Sequence, residues 1–181
     1  SGINYKNALG IYGIISGMVF PFIYLPFMLV SALVVNLIPS ISLEVTRKNT
    51  YAIKSKIYFS VILTLAMGIL CSILFYFFGE EICKIIFNNK SAGTYLKLMC
   101  LVPLFLSLNH ILSGILHSIG KEYIASIIGI SSMIIQTLCL YFILPIPNLG
   151  IYGYIIILTL IPTLSCILNY FVLYKYLKSL K

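Results

Sequence analysis

Four strongly hydrogen-bonding side chains are set inside long apolar stretches of this chain: Asn36, Asn109, His110 and Gln136. In hydrocarbon an unpaired amide or imidazole is costly, so such groups turn toward a bundle interior or a wet cavity. Two readings follow: the four line a polar, cavity-facing path for a cargo, or they hydrogen-bond one helix to the next. Metal and hydrolytic chemistry find little support. His110 and His117 lie seven residues apart, which puts them on one helical face but about 10 Å apart along the axis. That is too far to hold one metal ion, and HExxH is absent. A membrane-embedded acyl- or glycosyltransferase built on His110 needs an acidic partner or a nucleophile, and the neighbouring sequence holds neither. The four carboxylates (Glu44, Glu80, Glu81, Glu122) all fall between apolar runs or at their ends, so no acid stands at mid-membrane to relay protons. No catalytic, cofactor-binding or metal-ligating residue is assigned, no cofactor is expected, and neither is an enzyme.

Composition defines the elements that must carry those residues. Hydrophobic residues make up 61% of the 181 and charged residues 9%, with a mean hydropathy of +1.08. An ordinary soluble domain is about a quarter charged, so lipid must cover most of this surface. A hydrocarbon core of about 30 Å takes about 20 helical residues to cross. The expected spans are residues 12–39, 57–78, 98–119, 123–144 and 151–174, giving an all-α transmembrane fold of about five helices. The runs show no period-2 alternation, which disfavours a barrel. Residues 1–11 are expected to lead into the first span from outside, and 175–181 to form a basic cytoplasmic tail. Glu80–Phe87 reads either as a short amphipathic helix on the outer interface or as a loop. Pro145–Gly150 reads as a tight turn. Pro21, Pro26, Pro103 and Pro162 interrupt three spans, and kinked helices suit a protein that rocks between two openings.

The net charge of +8 is spread through the gaps, with no run of five basic residues, so membrane lipid rather than nucleic acid is the expected partner. The gaps on one side hold eight Lys and Arg, and the gaps on the other hold four, Lys6 included. The positive-inside rule then puts the N-terminus outside and the C-terminus in the cytoplasm. Five scattered cysteines with no CxxC pair indicate neither a disulfide framework nor a zinc site.

Three stretches resemble a known family in order and spacing. YGIISGMVFPFIYLPFMLVSALVVNLIPSISLEV (Tyr12–Val45) is similar to the first-span pattern of the stage V sporulation protein B group. LSLNHILSGILHSIGK (Leu106–Lys121) resembles that group's "ILSGILQGLGK" segment, with His117 in place of the usual Gln. NLGIYGY (Asn148–Tyr154) resembles its "LGIYGAA" turn. The group belongs to the polysaccharide-transporter branch of the multidrug/oligosaccharidyl-lipid/polysaccharide flippase superfamily. The resemblance implies most of one lobe of a MATE-like flippase fold, drawn from the second half of a longer transporter whose N-terminal half is the missing partner. It implies a bacterial cytoplasmic-membrane protein that flips lipid-linked oligosaccharide or peptidoglycan precursor, as in spore-cortex or polysaccharide biosynthesis. A multidrug/cation antiporter of the same superfamily is the alternative, and a membrane transferase is the alternative of another class. The NLIPSISLEV ending shifts Glu44 by one position against the family's "ALVPAISEA", so no substrate-contact role is carried over.

Overall fold

The computed structural model describes residues 5–144 and 150–179. Among these the chain forms seven α-helices, one π-helical turn and no strand. The helices are α1 (Tyr5–Ile14), α2 (Phe20–Thr46), α3 (Thr50–Phe87), α4 (Lys90–Leu98), α5 (Val102–Ser118), α6 (Glu122–Ile143) and α7 (Gly150–Ser179). The π turn, Ile15–Val19, joins α1 to α2, and Pro21 follows it at once. Four helical stretches are long and apolar enough to cross a membrane, and the α4–α5 pair, bent by 49°, makes a fifth. This is an all-α transmembrane fold.

Several boundaries differ from those read in the sequence, because lipid limits the apolar length of a helix and not its helical length. At about 1.5 Å per residue the 38 residues of α3 span about 57 Å, nearly twice a hydrocarbon core. Glu80–Phe87 is therefore neither a separate interfacial helix nor a loop: it continues α3. Nothing stops that helix until Asn88, whose φ of 52° caps its C-terminus. Residues 5–11 are helical, and α7 runs on through residues 175–179. The expected third span is also divided. Helix α4 lies in what the sequence presents as a charged gap, its N-terminus capped by the Asn89 side chain, which accepts from the Ser91 and Ala92 amides. The helix then breaks over Met99–Leu101, and Pro103 opens α5 in the first turn, where its missing N–H costs nothing. The turn expected at Pro145–Gly150 has residues 145–149 outside the described residues, as are 1–4 and 180–181.

Successive contacts give the helix directions. Phe27 meets His110, Val34 meets the Gly114 backbone, and Ser42 donates to the Ser118 carbonyl, so α2 and α5 run parallel. Gly79 faces Gly93 and Gly68 faces Leu104, so α3 runs antiparallel to the α4–α5 pair. The core forms two apolar clusters at opposite ends. One gathers Val34, Ile41, Ile57, Ile115 and Leu173; the other gathers Val19, Phe75, Cys83, Leu96 and Met99. Between them α3 presents Ser60, Thr64, Gly68 and Ser72 inward. These small residues let the backbones of α3 and α5 come close, which is how helices associate where no hydrophobic effect drives them together. The outer surface is a coat of Leu, Ile, Phe and Tyr.

Candidate functional site

Helix α5 is the centre of the bundle and packs on α2, α3, α6 and α7. Its turn of about 100° per residue assigns each side chain to a neighbour. Leu104 meets α3, Gly114 meets α2, and Asn109 meets α7. One sector, between α2 and α7, is left partly open. It holds Leu106, Asn109, His110 and Ser113, all half-buried, and His117, which is exposed. Four of these five are polar, along the one helix most enclosed by the others. Phe27 and Tyr24 of α2 flank the sector on one side. Asn169 of α7 meets it on the other. This partly open, mostly polar sector between α2 and α7 is the α5 groove.

Asn109 is held from the side. Asn169 of α7, 2% exposed, donates its Nδ2 to Asn109 Oδ1 at 2.9 Å. His110 lies against the Phe27 ring, with centroids 4.7 Å apart. Thr159 and Thr163 send their hydroxyls to carbonyls four residues back, as Ser31 does on α2, so their polarity is spent within their own helices.

Of the residues singled out in the sequence, Asn109 and His110 lie together in this groove. Asn36 does not. It stands nine residues from Phe27, half a helical turn around α2, is exposed, and donates to the Ala32 carbonyl of its own helix. Gln136 is half-buried on α6, on the face of that helix that carries Ser132, whose hydroxyl meets Ser165 of α7. That face belongs to the α6–α7 seam and not to the groove.

Two polar features went unread in the sequence. Asn169 satisfies the criterion that picked out Asn109, an amide inside an apolar run. Glu44, read as the polar end of a span, is buried, and its Oε1 takes the Lys56 ammonium at 3.0 Å, with Arg47 at 4.0 Å. Lys56 also donates to the Ser40 carbonyl at 3.1 Å. The pair pins the end of α2 to the start of α3, on the side of α2 away from the groove. Among the described residues no cluster of three or more His, Cys, Asp or Glu could hold a metal ion.

The MatE family model matches residues 5–142, from α1 through α6. The chain belongs to the MatE family. No curated protein and no solved structure matches it. MatE membership places the chain in the multidrug/oligosaccharidyl-lipid/polysaccharide flippase superfamily, whose members are membrane transporters rather than enzymes. The groove on α5 is thus a candidate cargo-facing surface of a multi-pass MatE transporter.

Proposed function

We propose that this MatE chain serves a flippase that carries lipid-linked oligosaccharide or peptidoglycan precursor across a bacterial cytoplasmic membrane. The observation that carries the reading is the α5 groove: amide, imidazole and hydroxyl groups with no carboxylate among them. Uncharged groups of this kind suit a hydroxyl-rich headgroup, while the Phe27 ring beside them and the exposed coat of Leu, Ile and Phe suit a polyprenyl tail. A cation carrier of the same superfamily is expected to use a membrane acid. The one buried acid of the described residues, Glu44, is already neutralised by Lys56 and faces away from the groove. The three sequence resemblances point to the polysaccharide branch as well.

In this reading the chain supplies one lobe, a second lobe closes the groove, and the basic ends of α2, α5 and α7 lie in the cytoplasm. The test is reconstitution in liposomes with a fluorescent polyprenyl-diphosphate saccharide in one leaflet. Its appearance in the other leaflet, reduced by Asn109→Leu or His110→Leu, is the expected result. Drug-driven cation exchange without saccharide movement, or glycosyl or acyl transfer lost in His110→Ala, would end the proposal.

A further inference from the structure

The Asn109–Asn169 pair has a polarity, and that polarity decides what the groove can bind. An amide offers one oxygen acceptor and two N–H donors. With Asn169 Nδ2 donating to Asn109 Oδ1, one buried acceptor, Asn169 Oδ1, is left without a partner. Turning both amides over would leave both N–H groups of the buried Asn169 unpaired, against the oxygen and one N–H as observed, and an orphaned buried N–H is the costlier of the two kinds. The observed arrangement therefore fixes the pair. It engages the oxygen of Asn109 on the α7 side and leaves both its N–H groups on the half-buried side, where no other group of the described residues meets them. Ser113, one turn further along α5, adds a hydroxyl to the same sector, and His110 adds an imidazole.

We propose that Asn169 is a positioning residue that turns the Asn109 amide N–H groups into the groove, making it a site for oxygen acceptors on a lipid-borne headgroup and not for cations. The inference rests on the proposed flippase function and narrows it to hydroxyl or phosphoryl oxygens held by donated hydrogen bonds. It also assigns Asn169 a role although that residue touches no cargo. The orphaned Asn169 oxygen is the cost of this arrangement, and nothing else in the seam requires it: two apolar residues would pack α5 on α7 without any unpaired group.

The experiment uses the protein in phosphatidylcholine nanodiscs with three probes: farnesyl glucoside (neutral, hydroxylated), farnesyl diphosphate (anionic) and tetraphenylphosphonium (a cation without acceptors). The wild type is expected to bind one or both farnesyl probes and to exclude the cation; which of the two binds tells hydroxyl from phosphoryl recognition. Asn169→Leu keeps the size and adds no charge but removes the donor, so the Asn109 oxygen is no longer held on the α7 side and the amide is free to show it to the groove. Farnesyl-probe affinity should fall about tenfold, the effect of one good hydrogen bond, while tetraphenylphosphonium affinity rises. Asn109→Asp, which still accepts from Asn169, should shift selectivity the same way. A merely structural role for Asn169 would lower all affinities together, so the ratio between probes is the deciding readout. Wild-type protein that takes neither farnesyl probe defeats the flippase reading and this inference with it. Wild-type protein that takes a farnesyl probe while Asn169→Leu leaves the ratio within twofold defeats the inference alone.

Discussion

The contact between α3 and α4 gives the sharpest prediction, because it is made of backbone. A Cβ placed on Gly93 would lie 2.3 Å from Glu80 Cα, 2.8 Å from the Gly79 carbonyl oxygen and 2.9 Å from the Glu80 nitrogen. No rotamer change relieves contacts with main-chain atoms. To bring the first of them back to 3.4 Å, the axes must separate by about 1.1 Å along the whole nine-residue helix. Separation loosens Ala92 and Leu96, both fully buried, and uncovers Cys83, which is 0% exposed. Overpacking of this kind costs about 1–3 kcal/mol, and Gly93→Ala belongs at the upper end because backbone cannot repack. Gly114→Ala is the contrast: its Cβ meets the methyl Cγ1 of Val34 at 2.6 Å, and Val34 is a side chain that can give way. Gly17→Ala is the control, since its Cβ would meet nothing within 4 Å.

A thiol-reactive dye in detergent micelles measures both consequences at once, as a melting midpoint and as the labelling rate of Cys83 in a variant whose other four cysteines are replaced by serine. The expected order of destabilisation is Gly93→Ala, then Gly114→Ala, then Gly17→Ala at wild type, with Cys83 labelled faster only in the first. A Gly93→Ala protein that melts with the wild type and keeps Cys83 protected would refute the close α3–α4 approach.

Removing one member of the ion pair, as Glu44→Gln or Lys56→Met, should cost about 1–3 kcal/mol, less than for a fully buried pair because Lys56 is a third exposed; the double variant should recover most of the loss in the same melt. Asn88→Gly should match or slightly exceed wild-type stability, while Asn88→Val should cost about 1–2 kcal/mol, since a β-branched residue resists the left-handed conformation at that cap. Cysteines placed at Lys48 and Lys121 should react with an impermeant maleimide from the same side of a sealed vesicle and one at Lys90 from the other; shared access for all three would overturn the alternating helix directions.

Legibility in the sequence followed the strength of the physical constraint. Depth in the membrane is dictated by apolar length, so the spans were readable wherever twenty uncharged residues ran together. Helix α4 was not, since a helix held by Ala92, Gly93 and Leu96 on one side and carrying Lys90 and Lys97 on the other has the composition of a loop. Direction around a helix was not readable either. Asn36 and Asn109 are equivalent in sequence, each an amide in an apolar run, yet one faces outward and bonds its own helix while the other reaches across to α7. Only the neighbours of α2 and α5 make that difference. Glu44 and Lys56, twelve residues apart, pair across the short α2–α3 turn, a separation at which spacing carries no signal.

What separates the groove from the rest of the bundle's polarity is whether a helix can satisfy its own side chains. A hydroxyl on a helix can bond the carbonyl one turn back, and Ser16, Ser31, Thr137, Thr159 and Thr163 all do so, which lets them face lipid or a neighbour at little cost. Asn36 manages the same with one amide N–H. Asn109 and His110 make no such bond. Asn109 spends its oxygen on another helix, and the imidazole rests on an aromatic ring, so their remaining donors and acceptors need a partner from outside the bundle: water, a second lobe or cargo. Two such residues side by side, flanked by Ser113 and His117 and by no carboxylate, give α5 a strip that lipid cannot cover cheaply. A membrane protein tolerates such a strip where something polar passes over it. On that physical ground the α5 strip, with Asn109 and His110 at its centre, is the part of the bundle most in need of a polar partner.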